Sequence, residues 1–168
     1  ARQKRGAELA ASRAFPPEAL LIARPGYILG PHENVHRVPY WLRRLAAGGT
    51  VLAPGAPDRP FPYVDVDDLA EWLVDGVTTR RSGAFQMVTP PGRDTWGDWL
   101  TACADVTGSD AAVQWVPDDV LLDLGVTPNF DLPMWVPGGF PPLADTRLAA
   151  TGFEARPLRD TVAASWEW

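Results

Sequence analysis

The stretch Ala19–Pro31, ALLIARPGYILGP, decides how this chain is read. Its first five residues, Ala19–Ala23, form an unbroken apolar run closed by Arg24, Pro25 and Gly26, the pattern of a short strand buried on both faces. The rest, Arg24–Pro31, bends at Pro25, Gly26, Gly30 and Pro31 as it leaves that strand. Open parallel sheets bind ligands just past the carboxyl ends of their strands, where backbone groups are free and loops diverge. This loop is therefore the leading ligand-site candidate. Upstream, ARQKRGAELAASRA (Ala1–Ala14) is rich in good helix formers, with Ala7, Ala10, Ala11 and Ala14 at helical spacing, and Pro16 and Pro17 stop it. Helix, turn and buried strand make one αβ unit. A strand of this kind needs parallel neighbours, and no second such unit precedes it.

Working outward, Val38–Ala47 reads as an amphipathic helix with Trp41, Leu42 and Leu45 apolar, ended by Gly48 and Gly49. Strands are expected at Thr50–Ala53, Tyr63–Val66, Ala84–Val88 and Ala111–Val116. Asp67 or Asp68 is the expected N-cap of a helix from Leu69 to about Gly76. Thr95, with Asp98 three residues on, heads a helix through Val106 in a box-like start. Pro117–Leu124, Asp145–Thr151 and Leu158–Trp166 complete the helices, and Thr127–Pro142 is a proline-rich loop carrying Trp135.

The 168 residues, 46% hydrophobic and 21% charged, suffice for one packed core. A formal charge of -6 gives no global basic footprint and argues against nucleic acid as a partner. No apolar run approaches the roughly 18 residues of a membrane span, so no membrane partner is expected. A single cysteine, Cys103, excludes an intramolecular disulfide and suits a cytoplasmic setting. It sits among Leu100, Ala102 and Ala104 with no neighbouring base, as an inert core thiol does.

No metal is expected. His32, Glu33 and His36 lie in an irregular HENVH segment that lacks the order of a zinc-binding helix. His32 and Arg37 follow the ligand loop and read either as substrate contacts or as surface-loop residues. Asp65, Asp67 and Asp68 read as helix cap and surface charge. Trp135, in DLPMWVP, either closes over an apolar substrate or wraps the core.

The segments ARQKRGAEL, ALLIARPGYILGPHE and VLAPGAPDRPFPYVDVDDLAEWL resemble the C-terminal half of the extended short-chain dehydrogenases/reductases, the NAD-dependent epimerase/dehydratase family. The resemblance implies an α/β fold: the C-terminal part of a Rossmann-type NAD(P)-binding fold, one helix-strand unit at 1–36, plus a small mixed α/β substrate-binding lobe at 37–168. It implies NAD or NADP as cofactor, hydride transfer at a carbinol or carbonyl carbon, and a small-molecule substrate. Lys4 falls where the family has the catalytic lysine that holds the nicotinamide ribose and lowers the pKa of a catalytic tyrosine. That tyrosine would stand one residue before Ala1, so an N-terminal half of the same fold is the implied partner, and the fragment alone is expected to be inactive. Pro25, Gly26, Tyr27 and Ile28 would lie against the nicotinamide end of the cofactor. The family also clamps a substrate phosphate with an arginine before the DLA helix. Counting back from Asp68 puts Phe61 at that place and Arg59 two residues upstream. Arg59 is then the candidate contact, as clamp or rim charge, and a nucleotide-sugar substrate is not supported. A homodimer is implied by analogy. The alternative on the same scaffold is a non-catalytic small-molecule or RNA-binding protein, since the family includes chloroplast stem-loop RNA-binding relatives, and Arg2, Lys4, Arg5 and Arg13 form a local basic helix.

Overall fold

The computed structural model describes residues 2–141, 143 and 145–168; the expected helix start at Ala1 and loop end at Pro142 lie outside them. In chain order the elements are α1 (Arg2–Ala14), β1 (Leu21–Pro25), β2 (Tyr27–Leu29), α2 (Arg37–Ala46), β3 (Thr50–Pro54), β4 (Tyr63–Asp65), α3 (Val66–Thr78), β5 (Gly83–Met87), α4 (Trp96–Thr107), β6 (Ala112–Val116), α5 (Asp118–Asp123), α6 (Thr146–Ala149) and α7 (Leu158–Glu167). A short 3-10 turn at Pro17–Ala19 joins α1 to β1. The strands form three parallel pairs, β1 with β5, β2 with β4 and β3 with β6.

Three points in the reading of Ala19–Pro31 are corrected. The apolar run does find a parallel partner within the chain, β5, with Leu21 opposite Gly83 and Pro25 opposite Met87. It is not buried on both faces either, since Leu21–Arg24 are half-buried and Pro25 is exposed. Nor is Arg24–Pro31 wholly loop, because Tyr27–Leu29 pairs with Tyr63–Asp65. The physical reason is a change of partner in mid-strand. The Gly26 N–H donates to the Met87 carbonyl at 3.2 Å, and one residue later the Tyr27 N–H donates to the Pro62 carbonyl at 2.9 Å. A Cβ on Gly26 would stand 2.4 Å from the Pro62 oxygen, so the crossing from β5 to β4 requires glycine by sterics alone.

The β2–β4 pair divides the interior in two. Side chains alternate along a strand, so Tyr27, Leu29 and Tyr63 enter a large core with Trp41, Trp96, Trp99 and Trp135. Ile28 and Val64 face a smaller core of Leu69, Trp72, Phe85, Met87 and Leu148. Cys103 is fully buried in the large core, and burial pushes its thiol well above the ordinary range, so it carries no nucleophilic thiolate.

Local capping follows the sequence in part. Thr95 and Asp98 form the reciprocal box at α4, with the Asp98 N–H donating to Thr95 Oγ1 at 3.1 Å and the Thr95 N–H donating to Asp98 at 2.8 Å. At α3 the expected cap is corrected: Asp65, not Asp67 or Asp68, accepts the Asp67 N–H at 2.8 Å, and the helix starts at Val66. Asp67 and Asp68 fall in the first turn, where negative charge favours the helix dipole. Asp68 accepts from Arg156 Nε at 2.8 Å and from its N–H at 3.0 Å, and so ties the segment before α7 to α3. Helix α1 is attached differently. It has no buried residue, and the Glu8 carboxylate grips Arg24 of β1 through two bonds of 2.8 Å.

Candidate functional site

The large core opens at a cleft where the change of partner at Gly26 delivers Tyr27. The Tyr27 ring lies 5.6 Å from Phe61 and edge-on to Phe140 at 5.4 Å, and Phe61 lies 5.4 Å from Trp96. Pro54, Arg59, Pro60, Met134, Trp135, Val136 and Gly139 complete the lining of a narrow cleft, about 300 Å³ including its open mouth. Burial raises the Tyr27 phenol to about 12 against the opposing pull of Arg37, and its hydroxyl donates to the Met134 carbonyl at 2.7 Å. This phenol is neutral and committed, not a proton shuttle near neutral pH.

One wall is a strap, Leu132–Phe140, fastened from several sides. Trp41 Nε1 donates to the Pro133 carbonyl at 2.9 Å, alongside the Tyr27 bond to Met134. Asp118, at the start of α5, accepts Trp135 Nε1 at 2.8 Å on one oxygen and the Gly138 N–H at 2.6 Å on the other. The same carboxylate holds Arg59 in a fork, at 2.9 Å from Nη1 and 2.7 Å from Nη2. Partial burial pushes the Asp118 carboxyl up, but Arg59, the Gly138 N–H and Trp135 outweigh it and hold it at about 2, below the ordinary 3.8. A carboxyl lowered in this way contributes stability in full well above 3.8, and that contribution is lost as the pH falls through 3.8 toward 2. Urea midpoints measured across that acid range are expected to fall less steeply for Asp118→Asn than for the unmodified protein. An unchanged acid slope would show that Asp118 does not fasten the strap in solution.

The structure brings only part of the sequence-derived set together. Tyr27 and Arg59 line the cleft. Arg37 lies 5.7 Å over the Tyr27 ring and is paired at 2.6 Å with Glu33. Gly26 is packed against Pro62 and Val88, Pro25 is exposed at the end of β1, and Ile28 faces the smaller core. His32 is exposed with a left-handed φ of 64°, its ring edge-on to Trp168 at 4.9 Å. Lys4 is exposed on α1, away from the cleft lining. Among the described residues no group of three or more His, Cys, Asp and Glu side chains is arranged to hold a metal.

Sequence reasoning missed Asp118 and Glu33. Glu33 caps α2 from outside, accepting the N–H groups of Arg37 at 2.7 Å and Val38 at 3.1 Å, while His36, the residue just before the helix, makes no side-chain cap bond. Its spacing of four from Arg37 was a legible signal. Asp118 had only a weak one, an acid just after Pro117 at a helix start. A second, wider groove of about 1070 Å³ including open solvent runs past the carboxyl end of β5, lined by Val88, Thr89, Pro90, Leu148 and Phe153. Arg93 on its rim is already used, donating to the carbonyls of Ala155 and Arg156 at 2.8 Å each.

No protein-family model and no curated protein matches the chain. Solved structures do. UDP-glucose 4-epimerase of Thermus thermophilus, in complex with NAD, is 18% identical at a TM-score of 0.63, over 97% of this chain and 50% of that one. The human epimerase family protein SDR39U1, isoform 2, with NADPH, is 20% identical at 0.61, over 88% and 48%. RMD from Pseudomonas aeruginosa, complexed with NADPH, is 12% identical at 0.60, over 87% and 46%. This chain spans about half the length of each of these structures. It therefore has the mixed α/β, Rossmann-like fold of part of these epimerase and reductase structures, with helices around parallel strands.

Proposed function

We propose that the chain is the substrate-binding half of an NAD(P)-dependent reductase or epimerase-like enzyme that transfers hydride at a carbinol or carbonyl carbon in the intact protein. The observation that carries this reading is the likeness in fold, over 97% of the chain, to an epimerase solved with NAD. The arrangement of β1 and β5 agrees with it. Two parallel strands end side by side at Pro25 and Met87, the end at which such sheets take a nucleotide cofactor. In this reading residues 1–36 belong to the cofactor fold and 37–168 to the substrate lobe. The intact enzyme works in the cytoplasm as a homodimer.

The residues divide in how they suit a nicotinamide cofactor. Lys4 is exposed on α1, Pro25 is exposed at the end of β1, and both are open to a ligand. Gly26 contributes main chain only, because its Cα is walled in by Pro62 and Val88. The Tyr27 side chain does not fit the cofactor role, since its ring is enclosed in the large core and its hydroxyl is bound to Met134; it serves the substrate side instead. Ile28 serves as a wall on the side of the smaller core. The cofactor, when bound, supplies or accepts the hydride. The Lys4 ammonium then donates to a ribose hydroxyl and, by its charge, lowers the pKa of a tyrosine beside it. Helix α1 holds that ammonium in place through the Glu8 grip on Arg24. Arg37 sits over the Tyr27 ring of the cleft, Arg59 braces its strap, and exposed His32 is a substrate contact only for a ligand that reaches Trp168.

The test is nicotinamide binding by the full-length protein, followed by the rise in NADPH or NADH fluorescence. Binding is expected, and Lys4→Ala is expected to lower kcat/KM with a turned-over ketone by at least ~100-fold, because the ribose contact and the lowered tyrosine pKa on which proton transfer depends are lost together. Unaltered fluorescence at saturating NADH and NADPH would remove the reading.

A further inference from the structure

We infer that the cleft between Tyr27, Phe61, Trp96 and the Leu132–Phe140 strap takes a neutral, apolar carbonyl compound or alcohol, not a phosphorylated sugar. This rests on the reading above that the lobe binds substrate. The walls are aromatic, aliphatic or proline, and among the described residues Arg59 is the sole charged one in the lining. Its charge is already matched: the fork to Asp118 engages both terminal nitrogens at 2.9 and 2.7 Å. Asp118 is equally full, since each of its oxygens also takes a strap donor, Trp135 on one and Gly138 on the other. A phosphate that captured Arg59 would leave this carboxylate without its counter-charge, and an unpaired, partly desolvated charge is strongly unfavourable. Arg37, over the Tyr27 ring, is matched in the same way by Glu33, whose other oxygen is held by the α2 N–H groups. Both cations at the cleft are thus neutralised within the protein, and what remains for a ligand is aromatic surface.

The strap also says how such a ligand enters. As it stands the cleft is too narrow to seat more than a water molecule. The backbone turns sharply at both ends of the covering segment: Met134 has φ 64°, and Gly138 and Gly139 have φ 77° and 74°. A non-glycine residue in the left-handed region holds strain that the surrounding bonds must maintain. Those bonds are Tyr27 to Met134, Trp41 to Pro133 and the Asp118 latch. The segment between Met134 and Gly138 therefore lifts as a flap when the latch yields, and closes over an apolar guest that replaces its packing on Phe61 and Trp96.

The experiment is calorimetric titration of the full-length protein with 4-phenyl-2-butanone, with UDP-glucose, and with NADPH. The ketone is expected to bind at least ~100-fold more tightly than UDP-glucose, a gap worth two tenfold steps in Kd. In Asp118→Asn the fork loses its charge and Arg59 is free for an anion, so the gap is expected to narrow by ~10-fold through a gain for UDP-glucose. Tighter binding of UDP-glucose than of the ketone by the unmodified protein, or binding of neither, overturns the inference; an unchanged gap in Asp118→Asn overturns the latch. NADPH binding without ketone binding defeats this inference and leaves the enzyme reading standing. Ketone binding without NADPH binding supports the apolar site and defeats the enzyme reading.

Discussion

Replacing Trp41 by alanine is expected to destabilise the fold by about 3–5 kcal/mol, a large share of the roughly 5–15 kcal/mol that holds a domain together. Trp41 is fully buried, edge-on to Trp96 at 5.3 Å and to Tyr40 at 5.1 Å. It belongs to α2, which packs on α4 and α7, so the void would open where three helices meet. The neighbours cannot collapse into it, because Trp96 is itself fixed by the bond from its indole to the Pro54 carbonyl at 3.1 Å. The truncation also frees the Pro133 carbonyl, which accepts the Trp41 indole N–H at 2.9 Å. Trp41→Phe separates the two effects: it keeps most of the packing, loses the bond, and is expected to lose about 1–2 kcal/mol. Urea unfolding followed by far-ultraviolet circular dichroism measures both. Equal midpoints for Trp41→Ala and the parent would mean that Trp41 is not in the core.

The second large effect is at Gly26, where Gly26→Ala is expected to destabilise by about 1–3 kcal/mol. Backbone conformation is not the cause, since Gly26 is absent from the residues with positive φ. The cause is space. The new Cβ would stand 2.4 Å from the Pro62 oxygen and 2.9 Å from its carbon and from a Val88 methyl, and the Pro62 atoms are backbone that cannot turn aside. Relief requires β4 to move away from β2, which strains the Tyr27 bond to the Pro62 carbonyl and shifts Tyr27 in the cleft. The same substitution at Gly6 meets nothing within 4 Å, on a helix with no buried residue. There alanine is expected to stabilise by about 0.5–1 kcal/mol, through helix propensity. Opposite signs in one set of thermal melts check both; a loss at Gly6 matching that at Gly26 would rule out the steric account.

The difference between these glycines marks what a sequence conveys. Pro25 and Gly30 mark Gly26 as part of a bend and Gly6 lies in a helical run, yet neither neighbourhood reveals that Gly26 is pressed against a second strand. The same holds for the Asp65, Asp67 and Asp68 group. Any of the three could cap a helix by composition, and the choice of Asp65 follows from where β4 ends, which its pairing with β2 sets. Tyr27–Leu29 is hidden as a strand because Pro25, Gly26, Gly30 and Pro31 punctuate it at both ends. Its ladder partner lies in a separate part of the chain. At the cleft, Tyr27 and Arg37 stand out in the sequence as polar groups in or just after the ligand segment, and Arg59 stands out through the family pattern. Met134, the partner of Tyr27, and Asp118, the partner of Arg59, do not, being 107 and 59 residues away.

What the sequence determines alone are the features that act over three or four residues. The end of α1 at its prolines, the Thr95–Asp98 box and the apolar face of α2 all follow from spacing on one turn of helix. The aromatic and proline content that builds the cleft is also present in the linear chain. Tertiary structure alone decides how the charges are spent: Arg59 on Asp118, Arg37 on Glu33, Arg156 on Asp68. An arginine in a sequence is a free cation until the fold places a carboxylate within about 3 Å of it. Whether a cleft attracts a phosphate or refuses one depends on that placement.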